Sequence, residues 1–426
     1  MRTILLLLIP ALFLTGCVAS KNYDPGKKYA PEALRSDYQL FRNVLEDAHP
    51  SLYWYTPKDS IDYYFDKGAS LITDSLTEGK FRNILSYVTS KFRCGHTTTR
   101  PSKKANKYSN PKAPSFPLYM KIWPDTAVVT ANLNRKDSNI IKGVVLKSID
   151  NVPMQTIIDS MFSHLSADGY NSTHKYQTLS NGGNFRVMFA SLYGLKPEYK
   201  VEYIDTAGRL KNSVLKLYYP AIDSVRTALV PHKLPRKQRK KQELQAARNL
   251  TIDSSLNTAI LEVNTFGKHN KLRPFFRQSF RQINKQHLDN LIVDMRANGG
   301  GSVTLSNLLA KYIANKSFKM ADSLYAIKVG TPYGKYQQNR FLNWLFLAFF
   351  TKKKNDDHYH FSYFEHRLFN PKVSNHFNGS TYILTGGNTF SAATLFTKAL
   401  IKQDNVTVVG EETGGGAYGN TAWLIP

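Results

Sequence analysis

A serine, a glycine-rich turn and a histidine are the residues here whose types and settings suit covalent chemistry. Ser391 lies in Thr389-Phe390-Ser391-Ala392-Ala393, between a strand-like run and a helical one. A hydroxyl at a helix start feels the partial positive charge of the aligned peptides, which favours an alkoxide or a nearby oxyanion by ~0.3–1 kcal/mol. Ala392 and Ala393 are small enough to admit a substrate, and the Ala392 N–H is expected to face a carbonyl oxygen attacked by Ser391 Oγ. The competing reading is an N-cap serine that bonds only its own helix. Asp294-Met295-Arg296-Ala297-Asn298-Gly299-Gly300-Gly301 follows an apolar strand. Its glycines permit positive φ and close approach, and their N–H groups suit a phosphate or an oxyanion. No Lys-Ser/Thr follows and the dinucleotide spacing is absent, so neither nucleotide motif is present.

A serine nucleophile needs a base. Among eleven histidines, His96 leads: it follows Gly95 at the expected end of a helix, beside the polar Thr97-Thr98-Thr99. His49 precedes Pro50 and reads as a helix end. His358, His360 and His366 could ligate a metal, but their offsets match no zinc motif, so a surface cluster and no metal or cofactor are expected. Cys94 with His96 would make a cysteine hydrolase, yet neighbours at a helix end rarely reach nucleophile–base geometry.

The elements that must position these groups are legible in outline. Leu34, Tyr38, Phe41, Leu45 and Ala48 recur on one helical face that stops at His49-Pro50. Thr56-Pro57-Lys58-Asp59 predicts a second helix with Thr56 as N-cap. Phe81, Ile84, Leu85, Val88 and Phe92 predict a third, ending near Cys94-Gly95. Residues 114–219 mix short strands with helices, as in a small α+β module. From residue 250 strand and helix alternate, which predicts a layered α/β core. Asn290–Asp294, nearly all apolar, is expected to be buried on both faces. Phe341–Phe350, FLNWLFLAFF, is too short to span a bilayer and is expected to be a buried helix, an interfacial contact or lid being the alternative. No repeat period is visible.

Composition narrows the class. The chain has 426 residues, 42% apolar and 21% charged, with a formal charge of +26, which fits a globular protein and not a disordered one. Two cysteines, Cys17 and Cys94, exclude a disulfide scaffold and a multi-cysteine zinc module. The basic stretch 231–249 reads as a solvated linker; in an exported chain the polyanion it could meet is a membrane surface, not nucleic acid. The N-terminus, MRTILLLLIPALFLTGC, has an export-signal pattern, and Leu14-Thr15-Gly16-Cys17 resembles the lipobox of bacterial lipoproteins. That resemblance implies cleavage after residue 16, a lipid on Cys17 and a tether over 17–30. It also implies a place in the cell envelope facing the periplasm. Val18 favours the outer membrane over the inner.

Leu291–Gly301 resembles the D-x-R-x-N-x-G-G signature of the C-terminal processing (tail-specific) peptidase family. Thr385–Ala393 resembles that family's nucleophile segment, and Val409–Gly416 the strand and turn after it. The resemblance implies a crotonase-like (ClpP-like) α/β peptidase core over 250–426. Before it come a helical N-terminal domain over 31–105 and a PDZ-like α+β domain over 106–230. Gly143–Pro153 resembles the second half of such a domain, without a carboxylate-binding loop of the G-L-G-F type. In the family's Ser–Lys branch two lysines follow the nucleophile; here Glu412 and Gly416 occupy those positions. Cys94-Gly95-His96-Thr97 resembles the histidine segment of the tricorn-like branch. The resemblance therefore implies Ser391 as nucleophile, His96 as general base, and the N–H groups of Gly300 and Ala392 as oxyanion donors. It implies peptide or unfolded-tail substrates and no cofactor. The orienting carboxylate of that branch lies well beyond the nucleophile. The natural sequence is expected to continue past Pro426, with the last core strands; Glu411 and Glu412 read as exposed turn acids. A non-catalytic binding protein on the same fold, holding an apolar ligand or a peptide, is the alternative.

Overall fold

Three separate hydrophobic clusters, each made by one stretch of sequence, organise the chain. The computed structural model describes residues 23–220 and 234–417. The signal-like segment, Cys17, residues 231–233 of the basic stretch and the end from 418 lie outside the described residues.

The N-terminal cluster is helical. After β1 (Lys28–Tyr29) come α1 (Pro31–Ala48), α2 (Lys58–Ser70), β2 (Leu76–Thr77), α3 (Glu78–Ser90) and the short α4 (Lys103–Lys107). Leu34, Tyr38 and Leu45 of α1 pack with Ile61 and Phe65 of α2 and with Ile84 and Val88 of α3. Phe65 and Phe92 are fully buried, each contributing about 1.5–3 kcal/mol. α1 stops at His49, whose N–H still reaches Leu45 O, because Pro50 bars a further helical residue. Two expectations shift. The cap of α2 is Pro57, and the Thr56 hydroxyl instead donates to Lys91 O at 2.7 Å. α3 ends at Ser90, so Gly95 does not close it.

The middle cluster is an antiparallel sheet with three helices. Its strands are β3 (Leu118–Trp123), β4 (Thr126–Asn132), β5 (Val145–Ile149), β6 (Val152–Pro153), β7 (Glu198–Ile204) and β8 (Leu210–Lys216). Their order is β3-β4-β5-β7-β8, with β6 beside β5. α5 (Met154–Phe162), α6 (Thr173–Ser180) and α7 (Asn184–Tyr193) bring Ile157, Met161, Leu179, Phe185 and Phe189 against the sheet's Leu118, Met120, Leu146 and Val201. Residues 166–172, between α5 and α6, leave this core and reach both other regions.

The C-terminal cluster is mixed α/β. α8 (Arg236–Ala247) leads into β9 (Arg248–Asp253), followed by β10 (Thr258–Val263), α9 (Leu272–Lys285), β11 (Asn290–Asp294) and α10 (Val303–Lys311). An excursion carries β12 (Tyr325–Ala326), α11 (Arg340–Phe350), β13 (Lys352–Lys353), β14 (Tyr359–His360) and α12 (Ser362–His366). The chain returns through β15 (Ser380–Thr385), α13 (Ala392–Leu400) and β16 (Val406–Gly410). The five strands lie in the order β16-β15-β11-β10-β9. They are parallel from β10 to β16, and β9 is antiparallel at the edge. Parallel pairing puts the C-terminal ends of β11 and β15 side by side, so the turns after them, 294–301 and 385–391, are neighbours.

Three more expectations change. β11 alternates: Leu291 and Val293 are fully buried, while Ile292 is half-buried, so only one face is sealed. Residues 236–247 of the basic stretch form a helix without buried residues, and Arg248 and Asn249 already belong to β9. α11 is a helix but not a buried one: Phe341, Leu342, Phe349 and Phe350 are exposed. It belongs to the excursion and none of its residues joins a hydrophobic core. No helix among the described residues is long and apolar enough to cross a membrane.

Candidate active site

Ser391 terminates the turn between β15 and α13. Its backbone has φ 53° and ψ −120°, a conformation that residues with a Cβ rarely adopt, and its side chain makes no capping hydrogen bond. The N-cap serine reading therefore loses its interaction. Strain of this kind persists only where neighbours over-determine the turn. Thr389, fully buried, does so here. Its hydroxyl donates to Met295 O at 2.9 Å and accepts from Gly386 N–H at 3.0 Å; its carbonyl accepts from the Thr394 hydroxyl and Gly415 N–H. Phe390 N–H donates to Asn298 O at 3.0 Å, tying this turn to the glycine turn. The outcome is a half-buried hydroxyl at the mouth of a nine-residue helix.

The glycine turn crosses directly over Ser391. A Cβ on Gly300, which has φ +98°, would lie 2.8 Å from Ser391 Cβ, 2.8 Å from Phe390 O and 3.0 Å from Ala392 N. Only glycine permits both this backbone conformation and this approach. Ala392 N–H, the first of α13, has no acceptor among the described residues, as helix geometry requires of a first-turn amide. Gly300 N–H is engaged: it donates to Asn298 Oδ1 at 2.8 Å, while Asn298 Nδ2 donates to Val263 O. One of the two expected oxyanion donors is thus open and the other is turned to a neutral amide oxygen.

The His96 loop reaches this turn from the far N-terminal region. The His96 ring lies 4.8 Å, centre to centre, from the ring of Phe390, the residue before Ser391. No hydrogen bond joins His96 to Ser391 among the described residues, and the buried His96 Nδ1 has no partner. Gly95 is needed for the approach, since a Cβ there would meet the Phe390 ring at 2.7 Å and Asp168 Oδ1 at 3.2 Å. His49 buttresses the loop. Its Nδ1 accepts from Ser51 N–H, which leaves Nε2 to donate to the Thr97 hydroxyl at 2.7 Å. Burial holds the His49 imidazole down at about 4.

Two groups that sequence reasoning missed complete the cluster. Asp168, buried in the 166–172 connection, accepts Gly95 N–H at 2.6 Å and Gly416 N–H at 2.9 Å. One carboxylate thereby fastens the His96 loop to the turn after β16. One of its oxygens, a His96 ring nitrogen and Cys94 Sγ lie within 4.8 Å of one another. His174 at the start of α6 faces the other contact of Phe390, its ring stacked at 4.9 Å, and its Nδ1–H donates to Gly387 O at 2.9 Å. Desolvation lowers the pKa of both imidazoles. For His96 the Asp168 charge acts in the opposite sense and His174 adds to the lowering. Both are neutral near pH 7, the form that accepts a proton. Composition and periodicity carry no trace of Asp168 or His174, whose partners stand 73, 248 and 213 positions away.

Other assignments are settled by surroundings. Burial raises the Cys94 pKa, keeping a thiol and not the reactive thiolate, which disfavours both a cysteine hydrolase and a metal held by Cys94, His96 and Asp168. Asp168 already spends both oxygens on backbone amides. Glu411 and Glu412 are exposed. A cavity of about 540 Å³, lined by Tyr55, Lys91, Arg93, Tyr170 and Lys175 among others, does not include Ser391.

Comparison with known proteins agrees with this geometry. Residues 257–423 match peptidase family S41. No curated protein sequence matches the chain. Among solved structures, a CPAF mutant superposes with a TM-score of 0.60 at 11% identity, over 90% of this chain and 84% of that one. Mature CPAF complexed with lactacystin gives 0.58 at 10% identity, over 90% and 85%. At such identities the likeness is one of fold. The matched segment, which is similar to peptidase family S41, contains both the glycine turn and the strained Ser391.

Proposed function

We propose that this chain is a serine endopeptidase of peptides or unfolded protein tails, with Ser391 as nucleophile and His96 as general base. The observation that carries the reading is the backbone of Ser391, strained at φ 53° and ψ −120° under Gly300 and without a capping bond. A serine held so has a cost of order 1–3 kcal/mol and no structural return in its own helix. In the proposed reaction Ser391 Oγ attacks the scissile carbonyl carbon and His96 accepts the hydroxyl proton. The developing oxyanion takes the Ala392 N–H. It is a stronger acceptor than the Asn298 amide oxygen, so it draws the Gly300 N–H as the second donor. His96 then gives its proton to the leaving amine, and water hydrolyses the acyl-enzyme by the same steps. Asp168 is the carboxylate that favours the imidazolium formed on the way. A rotation of either side chain must close the gap between His96 and Ser391 when substrate binds, which apo sites commonly require.

The reading includes a crotonase-like core, a PDZ-like middle domain and a helical N-terminal domain, supported by the resemblance and by the three separate hydrophobic clusters. It also includes a lipid on Cys17 and a cell-envelope location, supported by Leu14-Thr15-Gly16-Cys17, with the basic segment 231–249 as a second membrane contact. The exposed apolar face of α11 is the one feature that favours the alternative of a non-catalytic binder of apolar ligands. The discriminating experiment is hydrolysis of an unfolded protein substrate by the wild type and by Ser391→Ala. The proposal expects turnover in the first and none in the second; equal turnover in both would end it.

A further inference from the structure

The excursion between α10 and β15 holds a second histidine cluster, unused by the proposed reaction. β13 and β14 form a hairpin, and its tight turn is closed by Lys354 N–H to His358 O and Asp357 N–H to Lys354 O. His358 and His360 are two apart on an extended chain, so they share a face. Asp356, in the turn, reaches that same face. Its Oδ2 lies 2.8 Å from His360 Nε2 and 3.2 Å from His358 Nδ1. Ligands on a tetrahedral metal with bonds of 2.0–2.1 Å stand ~3.3 Å apart. The two distances to Asp356 Oδ2 are close to the spacing that one small cation would impose, and all three ligand atoms lie within 4.8 Å of one another.

What surrounds the trio fits the same reading. The other nitrogen of His360, Nδ1, meets Glu365 Oε1 at 2.7 Å. Glu365 is 2% exposed and is itself fixed by Leu324 N–H at 2.7 Å and Lys354 Nζ at 2.8 Å. A buried carboxylate that orients an imidazole through its far nitrogen is the usual outer support of a metal-bound histidine. The Tyr325 ring stacks on His358 at 4.4 Å and lies 5.5 Å from His360, bracing both. Asp356 and half-buried His358 face solvent, which gives an ion its entry and leaves a fourth position for water. His366, six residues beyond His360, is not in the group. The metal motif is thus Asp-x-His-x-His in a hairpin, which spacing rules for histidines alone do not capture.

We propose that Asp356, His358 and His360 bind one divalent transition-metal ion of the zinc class, with Glu365 orienting His360 and water as fourth ligand. On binding, His360 Nε2 gives up its proton to solvent, and His358 Nδ1 gives up its hydrogen to solvent or, by tautomerisation, to its own Nε2. Both nitrogens coordinate the ion, and the ion staples the hairpin. The proposal is independent of the peptidase reading. Its test uses the full chain without a histidine tag, titrated with Zn²⁺ by calorimetry and with Co²⁺ by visible absorption. The expected result is one ion per chain and the intense bands of tetrahedral cobalt. Asp356→Asn and His358→Ala, both at the surface, should each weaken binding at least ~10-fold, and Glu365→Gln by ~10–100-fold. Absence of saturable binding would overturn the proposal. So would binding that survives both surface substitutions or that disappears with Cys94→Ser.

Discussion

The two histidine clusters of this chain use the same side chain in opposite surroundings. His96 and His174, both half-buried, lie against the Phe390 ring, and desolvation lowers the pKa of each. Half-buried His358 and buried His360 stand on a hairpin among carboxylates, chiefly Glu365, whose hydrogen bond raises the His360 pKa. Burial makes an imidazole a proton acceptor; paired acids make it a cation or a metal ligand. The frames differ as well. The first cluster is locked by Thr389, Asp168 and the crossing of Gly300, which join three regions of the chain. The second rests on two-residue strands outside the hydrophobic cores.

The largest expected break in this contrast is His96→Ala, which should lower kcat by roughly 10²–10⁴-fold with little change in KM. His174→Ala should cost less, since its Nδ1–H is committed to Gly387 O; a larger loss there would transfer the role of base. In the wild type, the acid limb of kcat/KM should have its midpoint below the ordinary imidazole value near 6.5, because burial disfavours the charged form of His96. A midpoint above 6.5 would mean that the Asp168 charge dominates.

Stability should show the same sense at His49. Between pH 6.5 and about 4 the unfolded chain binds a proton that the folded chain refuses. Stability should therefore fall as pH drops through that window, by up to about 3 kcal/mol, and chemical denaturation across that pH range reads it. A His49→Gln variant should lose most of that pH dependence. Gly95→Ala should destabilise by about 1–3 kcal/mol, because its Cβ meets the Phe390 ring at 2.7 Å. Its activity should fall further than its melting temperature suggests, since the ring it displaces neighbours Ser391. At the other cluster Asp357→Asn, which breaks the exposed ion pair with Lys353, should leave the melting temperature nearly unchanged.

Local signals were legible where local physics decides. The stop at His49-Pro50, the Pro57 helix start and the strand-to-helix turn at Ser391 follow from nearby residues. The match of the nucleophile segment to S41 also lay in short motifs. Gly95 was misread as a helix end because a glycine five residues past Ser90 looks like a cap; its reason is the approach of Phe390 from nearly three hundred positions away. Asp168 and His174 left no mark, since each matters through contacts with distant segments. FLNWLFLAFF read as buried because hydrophobicity alone cannot tell a core helix from an uncovered one. The histidines 358 and 360 were compared with zinc spacings, and the partner that joins them is an aspartate.

The most direct test of the central claim is covalent: treat the full chain with a serine-reactive phosphonate and map the adduct by mass spectrometry. The account predicts one adduct, on Ser391, formed by wild type, much slower in His96→Ala and absent in Ser391→Ala. An adduct on another residue, or undiminished peptide hydrolysis by Ser391→Ala, would contradict it.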